Sequence, residues 1–111
     1  MPVHFNHVAI AAEDRHRSAA FLAELLGLAE PTSWGPFTSV TLDDGVRLDY
    51  AEPDIEFPGQ HDALLVSDDV FDRALARIKA DGVPFWADPA MRHPGEINTN
   101  HAGRGQLSAR G

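Results

Sequence analysis

The chain states one plan twice, and that duplication restricts its fold more than any other feature. NHVAIAAEDR (residues 6–15) and QHDALLVSDD (residues 60–69) each open near a histidine, continue through a short apolar run and close on acidic, helix-capping residues. His7 and His61 are 54 residues apart, and Gly27 and Gly82, which close the segments that follow, are 55 apart. A nearly constant offset between corresponding positions marks a repeated structural unit.

Within the first copy, VHFNHVAIA (3–11) alternates with period two, so that Phe5, His7, Ala9 and Ala11 share one face and Asn6, Val8 and Ile10 the other. That is the pattern of a strand. Asp14 suits the N-cap of a helix whose Phe21, Leu22, Leu25 and Leu26 form an apolar stripe, and Gly27 stands where helices stop. After Pro31, Gly35 and Pro36 punctuate a connection, residues 37–52 read as two strands joined at Asp43, Asp44 and Gly45. In the second of these strands Val46, Leu48 and Tyr50 share one face, Arg47 and Asp49 the other.

Residues 53–59, with their prolines and Gly59, read as a linker between a first module over 1–52 and a second over 60–111. The second copy begins with HDALLV as a strand. Ser67 or Asp68 then caps a helix in which Phe71, Ala74, Leu75 and Ile78 follow the helical period, ended at Gly82. VPFWADP (83–89) reads as the next strand and residues 91–105 as a long loop.

Composition narrows the chemistry. A chain of 111 residues with 43% hydrophobic content can bury a core without staples. With no cysteine, any metal must be held by nitrogen and oxygen. A net charge of −8, with nine scattered Lys and Arg, opposes nucleic-acid binding, and the chain has neither a membrane-spanning run nor a signal-peptide pattern. A cytoplasmic protein acting on a small molecule is the expectation.

The order strand, helix, strands, given twice and each time opened by a histidine, resembles the vicinal-oxygen-chelate superfamily of glyoxalases, bleomycin-resistance proteins and extradiol dioxygenases. FNHVAI (5–10), the helix after it, GVRLDY (45–50), QHDALLV (60–66) and GEINTNHAGRG (95–105) carry the likeness. It implies an α+β fold of paired βαβββ modules and a divalent metal (zinc, nickel, iron or manganese) on the concave face. Carried over position by position, it implies His7, Asp49 and His61 as ligands. It also implies glyoxalase- or dioxygenase-like chemistry, in which the ion binds adjacent oxygens of a small organic substrate. The alternatives are a metal-free binding protein of the drug-sequestering kind and an inactive domain.

The resemblance ends at Gly105. Where the family continues with two strands and a second carboxylate, residues 106–111 read QLSARG, so the second module is expected to be incomplete. An unfinished sheet edge invites pairing with another chain, and a homodimer is expected. Trp34, Phe37, Trp86 and His101 are the candidate substrate-binding residues, with Phe85 and His93 beside them. Plainer roles are also open: each histidine as a hydrogen-bonded strand residue, Asp49 as a partner of Arg47 or solvent, the aromatics as core. Glu52 and Glu56 are near enough in sequence to replace Asp49 as ligand, or lie solvated at a strand end and in the linker.

Overall fold

The alternation between residues 37 and 51 forms an antiparallel hairpin of β3 (Phe37–Thr41) and β4 (Arg47–Ala51), with Ser39 opposite Asp49 and Val40 opposite Leu48. Its turn depends on Gly45, whose φ of 89° is a conformation that a Cβ disfavours. The Asp44 carboxylate accepts from the Val46 N–H and closes the turn. These elements come from a computed structural model that describes residues 2–58, 60, 62–86, 95, 108 and 109. Its contacts divide the chain into two units, residues 1–60 and 61–111.

In the first unit β1 (His7–Ala11) pairs in parallel with β4, and β2 (Thr32–Trp34) pairs antiparallel with β3, giving the sheet order β1-β4-β3-β2. A parallel pair needs a long crossover. It is supplied by helix α1 (Arg15–Leu26) followed by the β2–β3 hairpin. The result is one βαβββ module, as expected, with one strand that the sequence reading left inside a connection: β2.

Helix α1 begins where Asp14 accepts from the Arg17 N–H at 3.0 Å. It ends at Gly27, whose φ of 67° lets the Leu28 N–H turn back to the Ala23 carbonyl at 2.9 Å and folds Leu28 onto the core. The core is Ile10, Ala19, Ala23, Val40 and Leu48, with Val8, Leu22, Leu28, Leu42 and Tyr50 packed around it. Full burial of each Ile, Val or Leu contributes roughly 1.5–3 kcal/mol. The contact face of α1 differs from the expected leucine stripe. Ala19 and Ala23 lie flat on the sheet, because small side chains let helix and strands approach closely, while Phe21, Leu22, Leu25 and Leu26 flank them half-buried.

The second unit contains helix α2 (Asp68–Ala80), capped by Ser67 and closed at Asp81, with Gly82 at φ 68° just beyond. Asp68 and Asp69 in its first turn and Arg77 and Lys79 in its last complement the helix dipole. Ala74 and Ile78 are its buried positions. Two departures from expectation occur here. Residues 62–66 have no regular secondary structure, and Leu64 and Leu65 are exposed. An apolar run this short makes a strand only where a neighbour covers and pairs it. The tail, read as lacking the family's last strands, supplies one two-residue strand, β6 (Ser108–Ala109), antiparallel to β5 (Phe85–Trp86). Among the described residues no helix is long and apolar enough to cross a membrane.

Candidate functional site

Period two sorts the first unit's sheet into a face that packs on α1 and a face that does not. Val8, Ile10, Leu48, Tyr50 and Val40 belong to the first. The registers place His7, Ala9, Arg47, Asp49, Ser39, Phe37 and Trp34 together on the second. Polar and aromatic side chains from all four strands thus collect on the face opposite the helix, and the candidate ligands His7 and Asp49 share it.

The centre of that face is a closed hydrogen-bonded system. Trp34 Nε1 donates to Ser39 Oγ at 2.9 Å, and Ser39 Oγ donates to Asp49 Oδ1 at 2.6 Å. Arg47 Nε donates to the same oxygen at 2.8 Å, and Arg47 Nη2 donates to Oδ2 at 3.1 Å. The guanidinium carbon lies 5.5 Å from the centroid of the Trp34 ring, within cation–π range, and Phe37 stands 4.9 Å from the same ring at 42°. Asp49 is only 2% exposed and Ser39 is buried with it.

A carboxylate removed from water is stable as an anion only when it is paired and hydrogen-bonded. Asp49 meets that condition. The Arg47 hydrogen bonds lower its pKa most; burial opposes them, and the Ser39 hydroxyl, the Arg47 charge and the His7 charge lower it further, so the carboxyl titrates below its ordinary range. Its hydrogen bonds and charge raise Arg47 in turn.

His7 is exposed at the end of β1, one strand away from Arg47, its register partner. Its Nδ1 lies 2.6 Å from Asn6 Oδ1. An amide oxygen only accepts, so Nδ1 carries the hydrogen, and in the neutral ring the lone pair sits on Nε2. That arrangement is the one by which a partner orients a metal-binding imidazole.

The remaining candidates fall elsewhere. His61, His93 and His101 lie outside the described residues, and Trp86 is described through its backbone, paired with Ser108. Glu52 accepts from the Arg15 N–H at 2.8 Å, so its carboxylate serves the start of α1; Glu56 is exposed. Among the described residues no group of three or more His, Asp or Glu is placed to hold a metal ion. Ser39 was missed by sequence reasoning. A hairpin centred on Asp44 pairs residues equidistant from it, which sets Ser39 opposite Asp49 and was readable from the turn alone.

The sequence matches the profile of the Glyoxalase/Bleomycin resistance protein/Dioxygenase superfamily over residues 4–99. Among solved structures the chain is similar to one described as Oxidase ChaP-H1, with 43% identity over 96% of this chain and 92% of that one and a TM-score of 0.85. A second, Oxidase ChaP-H2, is 42% identical over 96% and 91% of the respective chains, also with a TM-score of 0.85. The structure of a possible glyoxalase from Bacillus cereus is 17% identical over 98% of this chain and 100% of that one, with a TM-score of 0.59, a likeness of fold alone. No curated protein sequence gives a significant match.

Proposed function

Because the chain belongs to the Glyoxalase/Bleomycin resistance protein/Dioxygenase superfamily, we propose that it is an oxidase-type enzyme that acts on a small organic substrate with the help of a divalent metal ion. The observation that carries this reading is the gathering of His7, Arg47, Asp49, Ser39 and Trp34 on the sheet face opposite α1. The likeness to two oxidases at more than 40% identity favours oxidation over the isomerase and lyase chemistries of the same fold.

The donor set fits such an ion in part. His7 offers Nε2, fixed by Asn6 through the other ring nitrogen, and His61 is the second proposed nitrogen ligand. Asp49 is engaged by Arg47 and Ser39 at Oδ1 and by Arg47 at Oδ2, so a ligand role for it requires that the ion pair open. When bound, the ion supplies Lewis-acid stabilisation of negative charge on substrate oxygen. The chain's own residues do the rest on this face: Trp34 and Phe37 offer aromatic surface, Arg47 a fixed positive charge, and Ala9, beside Asp49, adds no bulk.

Metal content tests the proposal. Protein purified without chelator and reconstituted anaerobically with iron(II), manganese(II) or zinc should retain a stoichiometric ion, which His7→Ala and His61→Ala should each lose. Wild-type protein that retains none, or a His7→Ala variant that retains as much as wild type, excludes the metal-dependent reading. It leaves the second one, metal-free binding, which the exposed Trp34 ring favours.

A further inference from the structure

We propose that Arg47 is the anion-binding group of this face, holding the anionic oxygen of a planar aromatic ligand whose ring lies against Trp34, with Asp49 and Ser39 as the fixture that aims it; this rests on reading the face as the one that receives substrate.

Donor arithmetic comes first. A guanidinium has five N–H groups in a rigid plane. Asp49 uses Nε and Nη2, while Nη1 has no partner among the described residues. The two members of the pair are also unequally placed, since the Asp49 side chain is 4% exposed and the Arg47 side chain 36%. A solute arriving at this face therefore meets the cation and not the carboxylate beneath it. The remaining N–H edge suits an oxygen that carries charge, because charge-assisted hydrogen bonds of this kind are roughly twice as strong as neutral ones.

Fixation is the second observation. Free arginine side chains lose rotamer freedom when they bind, and that loss subtracts from affinity. Arg47 is already held, by two hydrogen bonds to Asp49 and by the indole of Trp34 at 5.5 Å. Asp49 is itself held by Ser39, and Ser39 by Trp34. A network that spans three strands, with Ser39 and Asp49 buried at its centre, to fix one half-exposed guanidinium exceeds what a solvated surface arginine requires. The network contributes nothing to the α1 core, which lies on the other face.

The third observation concerns the ring. Trp34 is 48% exposed although it anchors the network, and its pairing with Phe37 is tilted, which leaves aromatic surface uncovered. A flat ring resting there brings a carboxylate or phenolate substituent to Arg47. Asp49 is in this assignment a positioning residue: it touches Arg47, not ligand.

The test uses 2-naphthoate and its neutral counterpart 2-naphthamide as probes. Binding is followed in the wild-type protein through the NMR cross-peak of the Trp34 indole N–H, assigned as the indole signal that persists in a Trp86→Phe variant. EDTA is present throughout, so that the outcome does not depend on any metal. Naphthoate is expected to bind about tenfold tighter than naphthamide. Arg47→Gln should abolish this preference by weakening naphthoate far more than naphthamide, Arg47→Lys should keep part of it, and Asp49→Asn should weaken naphthoate several-fold and naphthamide less. Equal binding of the two probes by the wild-type protein overturns the proposal, as does an undiminished preference in Arg47→Gln; the first comparison needs no variant. Either result leaves the metal-dependent reading standing, because that reading is tested by ion retention at His7 and His61.

Discussion

Ser39 and Asp49 face each other across adjacent antiparallel strands, and the Ser39 hydroxyl donates to Asp49 Oδ1 at 2.6 Å. This bond joins an indole at the edge of the sheet to a guanidinium near its centre. It makes the face opposite α1 a polar system whose members depend on one another.

The Asp49–Arg47 pair gives a stability difference with a defined pH dependence. The folded-state pKa of Asp49 is lowered, so its contribution is fully present above the ordinary carboxylate value and is lost as pH falls through the depressed one. Asp49→Asn should therefore cost about 2 kcal/mol at neutral pH. The difference should hold down to the ordinary carboxylate value and shrink progressively as pH falls from there toward the depressed one. Urea unfolding midpoints of both proteins, from neutral pH to about pH 3, check this; a gap that is independent of pH, or that grows in acid, contradicts it.

Ser39→Ala removes one donor from a buried carboxylate and the acceptor of the Trp34 N–H at once. The expected loss is roughly 1–3 kcal/mol, with part of the cost avoided if the half-exposed indole turns to solvent. Coupling between Ser39→Ala and Asp49→Asn, read from a double-mutant cycle, should be substantial. Additive effects would mean that the two residues act separately.

Gly27→Ala and Gly45→Ala should each destabilise by about 1–2 kcal/mol through backbone strain alone. A Cβ built at either position meets no atom within 4 Å, while φ is 67° and 89° respectively. Asparagine, which tolerates the left-handed region, should be milder than alanine at Gly27. Thermal or urea unfolding distinguishes the accounts: loss of packing would show the opposite order, with the larger side chain costing more.

Much of the first module was legible because each of its elements obeys a local rule. Asp14 caps, Gly27 stops, Gly45 turns, and alternation assigns His7 and Asp49 to one face. What escaped needed information that no single segment holds. Strand β2 has three exposed residues and no apolar alternation, so only its pairing with β3 defines it. The α1 contact proved to be Ala19 and Ala23 because side-chain size, and not hydrophobicity alone, decides which stripe lies closest to a sheet. The HDALLV run looked like β1 in sequence, yet residues 62–66 form no strand, which shows that a repeated pattern need not carry a repeated backbone. As for the site, the Arg47–Asp49 pairing was readable from their shared face, whereas the role of Trp34 as a donor to Ser39 was not, since an aromatic at a sheet edge looks the same in sequence whether it packs, binds or donates.

Titration of isotopically labelled protein with manganese(II), followed by paramagnetic broadening in NMR spectra, is the most direct test of the claim that a metal ion binds at His7 on the face opposite α1. Signals of His7, Ala9 and Asp49 and the Trp34 indole N–H should broaden first, the amides of Ala19 and Ala23 later, and His7→Ala should remove the ordered effect. Broadening that begins on α1, or that is the same in His7→Ala, would contradict it.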